Sequence, residues 1–161
     1  MTLKYLTFSI SICFISWIVG MIINFALSKT EFYEKLSNIN CIRSTKLNKF
    51  IGLSIFKWIV KNTFFKFFNP KLQLKNKATT KELIDLRQEM TFAEISHFIG
   101  FFFVMFFATL KVLRAEFIFS AWIVFMNVLM NLYPSLLQQE NKRRIDHFLQ
   151  RIPLKIIKKS L

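Results

Sequence analysis

Ala93-Glu94-Ile95-Ser96-His97-Phe98-Ile99-Gly100-Phe101-Phe102-Phe103-Val104-Met105-Phe106-Phe107-Ala108-Thr109-Leu110 is the stretch that decides the fold of this chain. From Ile95 to Leu110 it runs 16 residues without a formal charge. A helix crossing a bilayer needs roughly 20 apolar residues, so this run spans if Ala93–Glu94 and Lys111 sit at the headgroups. Two companions are longer. Leu6–Leu27 supplies 22 residues with no formal charge, and Phe117–Leu137 supplies 21, interrupted by Asn127, Asn131 and Pro134. The reading is an all-α integral membrane protein: about three transmembrane helices plus amphipathic interfacial helices. Its spans fall at about 6–27, 94–111 and 117–137 of a single membrane domain over 1–161.

Composition agrees. Of 161 residues, 53% are hydrophobic, with 21 Phe against 3 Gly and 3 Pro. A mean hydropathy of +0.39 argues against an ordinary soluble domain. The net charge of +14 would suggest a nucleic-acid partner in a soluble protein. Its distribution argues for membrane apposition instead. Thirteen Lys and Arg fall in 28–94 and seven in the tail from Gln138, against Lys111 and Arg114 between the last two spans and Lys4 at the start. The positive-inside rule then gives a multi-pass cell-membrane protein with its N-terminus outside and its C-terminus cytoplasmic. Each basic residue near anionic lipid headgroups adds about 1 kcal/mol of attraction. Ala26-Leu27-Ser28 loosely fits a cleavage site, but a 22-residue apolar run exceeds a signal-peptide core of roughly 7–15. The first span reads as an uncleaved anchor. Cys13 in that span and Cys41 beyond it suit neither a disulfide nor a metal site.

The cytoplasmic segment 47–90 is amphipathic. Leu47–Phe68 interleaves Phe50, Phe56, Trp58 and Phe64 with Lys49, Lys57, Lys61 and Lys66, the pattern of a helix lying in the interface. Asn69-Pro70 ends it. Thr79 and Glu82 have capping-box spacing and start a helix that can run into the second span. The basic tail 138–161 alternates charge with Ile145, Phe148, Leu149 and Ile152, predicting a surface helix broken at Pro153.

Polar residues gather at one end of the last two spans. Glu94 and His97 are three apart and share a helix face. A carboxylate beside an imidazole would fix its tautomer and raise its basicity, as a general base requires. The alternatives are that Glu94 merely closes a capping box with Thr91, and that His97 merely bonds another helix. On the third span, Asn127, Asn131 and Gln138 form a stripe. Pro134 leaves the carbonyl of Met130 without its helical donor, and Tyr133 suits a headgroup-level hydrogen bond. Gln138, Asn141 and the cluster Lys142–Arg143–Arg144 follow. An antiparallel hairpin brings both sets together. There is no Gly-rich phosphate loop, nucleophile elbow or His pair for a metal, so direct, base-assisted transfer fits better than covalent catalysis or a tightly bound cofactor.

These segments carry a resemblance. Ala93-Glu94-Ile95-Ser96-His97, Asn131-Leu132-Tyr133-Pro134 and Gln138 to Arg144 resemble the glycosyl-diaponeurosporenoate acyltransferase family, which performs the acylating step of staphyloxanthin carotenoid synthesis. That pattern has an A-E-x-x-H element heading one membrane segment, then an Asn, Q-x-x-N and an Arg three residues on. Glu94, His97, Asn131, Gln138, Asn141 and Arg144 match it, and Glu89 matches an acidic residue upstream. Where the family reads Q-R-Y-N-R, this chain has Gln138-Gln139-Glu140-Asn141-Lys142. The departure bears on the acceptor, which can be a carotenoid glycoside or another membrane glycolipid.

The resemblance implies a membrane-bound acyltransferase moving a fatty acyl group from acyl-CoA or a similar acyl thioester to a hydroxyl. His97 would be the base, aimed by Glu94. Asn131 and Gln138 would bind substrate or the oxyanion, and Arg144 with Lys142 and Arg143 would hold the phosphates of the donor. The competing reading is a non-enzymatic membrane assembly or lipid-binding subunit whose polar stripe is helix glue. The sequence leaves the oligomeric state open.

Overall fold

The structure, a computed structural model, describes residues 2–37, 50, 52–62 and 79–159, with side chains through 151 other than that of Lys61. Among the described residues every regular element is helical. They are α1 (Thr2–Leu27), α2 (Phe32–Ser37), α3 (Leu53–Asn62), α4 (Thr80–Leu113), α5 (Phe117–Asn127), a π-helical turn (Val128–Leu132) and α6 (Tyr133–Lys159). Three helices, Thr2–Leu27, Thr80–Leu113 and the stretch Phe117–Arg151, are long and apolar enough to cross a membrane.

The second of these is longer than the expected span, because the capping box at Thr79 starts it. The Glu82 amide N–H donates to Thr79 Oγ1 at 3.2 Å, and the Glu82 carboxylate accepts from the Thr79 amide at 2.8 Å. From there α4 continues without a break to Leu113. Thr91 therefore caps nothing, and its hydroxyl donates back to the Arg87 carbonyl at 3.0 Å inside the helix.

α1 and the α5–α6 rod run antiparallel to α4. Their packing uses small residues, since apolar side chains gain little from leaving lipid for one another and close backbone approach must supply the attraction. Ser9, Cys13, Ser16, Gly20 and Asn24 make one buried stripe along α1. Gly20 lies against α4 so closely that a Cβ there would run into the Ser96 carbonyl oxygen. Gly100 answers from α4, where a Cβ would stand 3.0 Å from Asn131 Oδ1 and 3.1 Å from the Ser16 carbonyl. Toward the other end the core is Ile12, Cys13, Val104, Ala108 and Ile123. Ile18, Ile22, Phe102, Phe106, Ile118 and Phe125 are exposed on the outside, the surface a bilayer would cover.

The turn between α4 and α5 is tight. Ala115 takes φ 59°, and Lys111 pairs with Glu116 at 3.1 Å across the turn.

At the opposite end α4 and α6 extend past the apolar zone as a helical pair closed by Leu83, Met90 and Ile145. Arg87 and Asp146 are salt-bridged across it. The tail is thus a continuation of the third span rather than a separate surface helix. Helical backbone passes through Pro153, which forfeits one hydrogen bond instead of ending the element.

α3 docks on α6 through Leu53 and Val60 against Leu136 and Leu137, with Lys57 bonded to Glu140 at 3.2 Å. Ile55 and Trp58 stay exposed on its outer face, as an interfacial helix requires. The rest of the predicted 47–68 helix, residues 47–49, 51 and 63–68, lies outside the described residues, as do Cys41 and Asn69-Pro70.

Candidate active site

Pro134 organises the site. It has no N–H, so the helix upstream widens and the Tyr133 amide bonds Val128 five residues back. The freed Met130 carbonyl accepts from Trp17 Nε1 of α1 at 3.2 Å. This turn also carries Asn131, which is completely buried.

A chain of hydrogen bonds runs from here to His97, and its direction can be worked out. The Phe101 carbonyl can only accept, so Asn127 donates to it through Nδ2 at 3.0 Å. Asn127 Oδ1 then accepts from Asn131 Nδ2 at 2.8 Å, and a second hydrogen of that amide goes to Ser16 Oγ at 3.0 Å. Asn131 Oδ1 is left facing His97 Nδ1 at 3.4 Å. An oxygen acceptor there calls for Nδ1–H, which leaves the lone pair of the neutral imidazole on Nε2. The indole of Trp17 stands edge-on to the ring, 5.8 Å between centroids. His97 is partly exposed, whereas Ser16, Asn127 and Asn131 are buried. Trp17 lies ten residues from the end of α1, which puts His97 about 15 Å inside that end at 1.5 Å per residue.

Sequence spacing pairs Glu94 with His97, whereas in the structure Asn131 Oδ1 faces His97 Nδ1 at 3.4 Å. Both hydrogens of the Asn131 amide are used within the protein.

Glu94 instead anchors a second, drier cluster. It is 2% exposed, and its carboxylate accepts from Gln139 Nε2 at 2.8 Å and from Lys142 Nζ at 2.6 Å. Lys142 is 1% exposed and also donates to the Ser37 carbonyl at 2.7 Å, tying α2 to α4 and α6. Ser135 Oγ donates to the backbone oxygen of Glu94 at 3.2 Å. Lys142 is thus an internal counter-ion and not a phosphate ligand. Gln139 was missed because it read as a departure from a motif. The signal was its spacing: Gln139 and Lys142, three apart, share the helix face that an antiparallel partner carrying a buried acid must satisfy.

Asn24 extends this cluster, with Nδ2 donating to Ser96 Oγ at 2.9 Å and to the Phe92 carbonyl at 2.8 Å. The Tyr33 hydroxyl on α2 is buried beside Asn24 and Glu94, and burial pushes its pKa above the usual phenol value.

The remaining expected residues lie along the same rod. Gln138 is buried on α6, two turns past Asn131. Tyr133 is partly buried with its ring against Phe56, 5.1 Å between centroids. Asn141 is 5% exposed, and its Nδ2 has no partner. Arg144 and His147 are exposed, and so is Glu89. Among the described residues no group of three His, Cys, Asp or Glu side chains could hold a metal ion.

Comparison with known proteins bears on this arrangement. Neither a curated protein nor a solved structure gives a significant match. A family model described as glycosyl-4,4'-diaponeurosporenoate acyltransferase matches residues 29–151, which include α4, α6 as far as Arg151 and every residue of the two polar clusters outside α1. The chain belongs to that acyltransferase family, named for a carotenoid glycoside acceptor.

Proposed function

We propose that the chain moves a fatty acyl group from an acyl thioester to a hydroxyl of a glycolipid, with a carotenoid glycoside as the family acceptor, within the membrane and reached from its cytoplasmic side. The observation that carries this reading is the hydrogen-bond chain from Phe101 through Asn127 and Asn131, which favours a lone pair on His97 Nε2. That nitrogen would take the acceptor's hydroxyl proton as the oxygen bonds to the thioester carbonyl carbon. The carbon–sulfur bond then breaks, and the departing thiolate recovers the proton from the imidazolium. His97 is partly exposed, and acceptor and acyl chain would both reach it from the surrounding bilayer, into which they partition. Gln138, between Asn131 and Asn141, would bind the polar part of a substrate.

The basic segment 28–94 and the basic tail share one side of the three spans, which supports a cytoplasmic C-terminus and an outside N-terminus. Lys142 is withdrawn from that surface by its pairing with Glu94, but Lys57, Arg143 and Arg144 remain near it. The test is transfer by the full chain in nanodiscs, given acyl-CoA and a glycolipid acceptor. Intact protein should form the ester and His97→Ala should not, although it still folds and inserts. Undiminished transfer by His97→Ala would overturn the mechanism.

A further inference from the structure

A groove of about 410 Å³ opens between the extensions of α4 and α6, beyond the expected membrane surface. Its basic wall is Arg144, His147 and Arg151, and its apolar wall includes Met90 and Phe148. Among the described residues no carboxylate lines it, and the neighbouring Asp146 is already engaged by Arg87. Asn141 also lines it, and the Asn141 Nδ2 is buried without a hydrogen-bond partner. A buried donor left unmatched costs stability, so such a group in a groove marks a place for an acceptor atom from outside the chain.

We propose that this groove is the head-group subsite for a phosphate-bearing amphiphile, resting on the acyl-transfer reading of His97. Arg144 and Arg151 would pair with phosphate oxygens and the Asn141 amide would donate to a further acceptor atom. The apolar wall would take the adjoining carbon chain. The groove reaches Met90, seven residues before His97 on the same helix, or about 10 Å along its axis. A phosphate held there leaves a flexible arm free to present its far end to Nε2. The chemistry has two possible sources, a soluble phosphopantetheine-type thioester and an anionic phospholipid.

The test uses the full chain in nanodiscs of phosphatidylcholine, with free coenzyme A as the soluble probe and phosphatidylglycerol, followed by native mass spectrometry, as the lipid probe. The variants are Arg144→Ala with Arg151→Ala, both exposed side chains whose loss leaves the core intact, and Asn141→Leu. Coenzyme A binding that weakens at least tenfold in the double Arg variant supports a soluble donor subsite. Phosphatidylglycerol retention that is lost in that variant, without coenzyme A binding, supports the same subsite filled from the membrane. Equal binding of both probes by intact and variant chains overturns the proposal, as does absence of binding to either. His97→Ala keeps the two readings apart, since it should abolish transfer and leave probe binding unchanged.

Discussion

Replacing Lys142 by Met should be among the most damaging single changes in the chain. Lys142 and Glu94 are 1% and 2% exposed and 2.6 Å apart. The substitution keeps the side chain's bulk while leaving a carboxylate with Gln139 as its side-chain donor among the described residues. Removing one partner of a buried ion pair costs about 3–5 kcal/mol, because the remaining charge stays out of water. The folded-to-unfolded ratio then falls by roughly two to four powers of ten. Adding Glu94→Gln removes the stranded charge while keeping an amide oxygen for Gln139, so the double variant should recover about half the loss or more. Reversible unfolding in mixed micelles, titrated with denaturing detergent and followed by helical circular dichroism, measures both. A single variant within about 1 kcal/mol of the parent refutes the reasoning, as does a double variant no more stable than the single. The same pair tests the site. If Glu94 acts on the fold and not on His97, the folded double variant keeps at least a tenth of parental transfer.

Asn131→Ala removes the acceptor that holds His97 Nδ1–H, and should lower transfer by ten- to a hundredfold with substrate binding little changed, measured as kcat against KM. Trp17→Phe deprives the Met130 carbonyl of a donor that Pro134 cannot replace, a loss of about 1–3 kcal/mol readable as a lower melting temperature in detergent. Gly20→Leu cannot be accommodated without separating α1 from α4, so the variant should lose folded protein while Ile22→Leu on the exposed face does not.

The helices were legible because their signals are local. Uninterrupted apolar length marks the spans, and Thr79 with Glu82 marks the start of α4 about four turns before its apolar run. Pro134 likewise predicts an orphan carbonyl at Met130, which the structure supplies with an indole donor. The pairing of polar groups was less legible, because it depends on how three helices rotate against one another. Glu94 and His97 are neighbours along α4, yet the first turns to Gln139 and Lys142 while the second meets Asn131. Spacing along one helix cannot reveal that division. It is settled by the close approach of α1 at Gly20 and Gly100, which brings Ser16 to Asn131 and commits that amide. Pro153 misled for a related reason: loss of one hydrogen bond weakens a helix without having to end it.

The most direct test of the central claim is lipid mass spectrometry on acceptor-producing cells carrying the intact chain, His97→Ala or an empty vector. The account predicts an acylated glycolipid in the first alone, with the His97→Ala protein present in the membrane at a normal level. The same ester in equal amount with His97→Ala, or identical lipid profiles in all three, would contradict it.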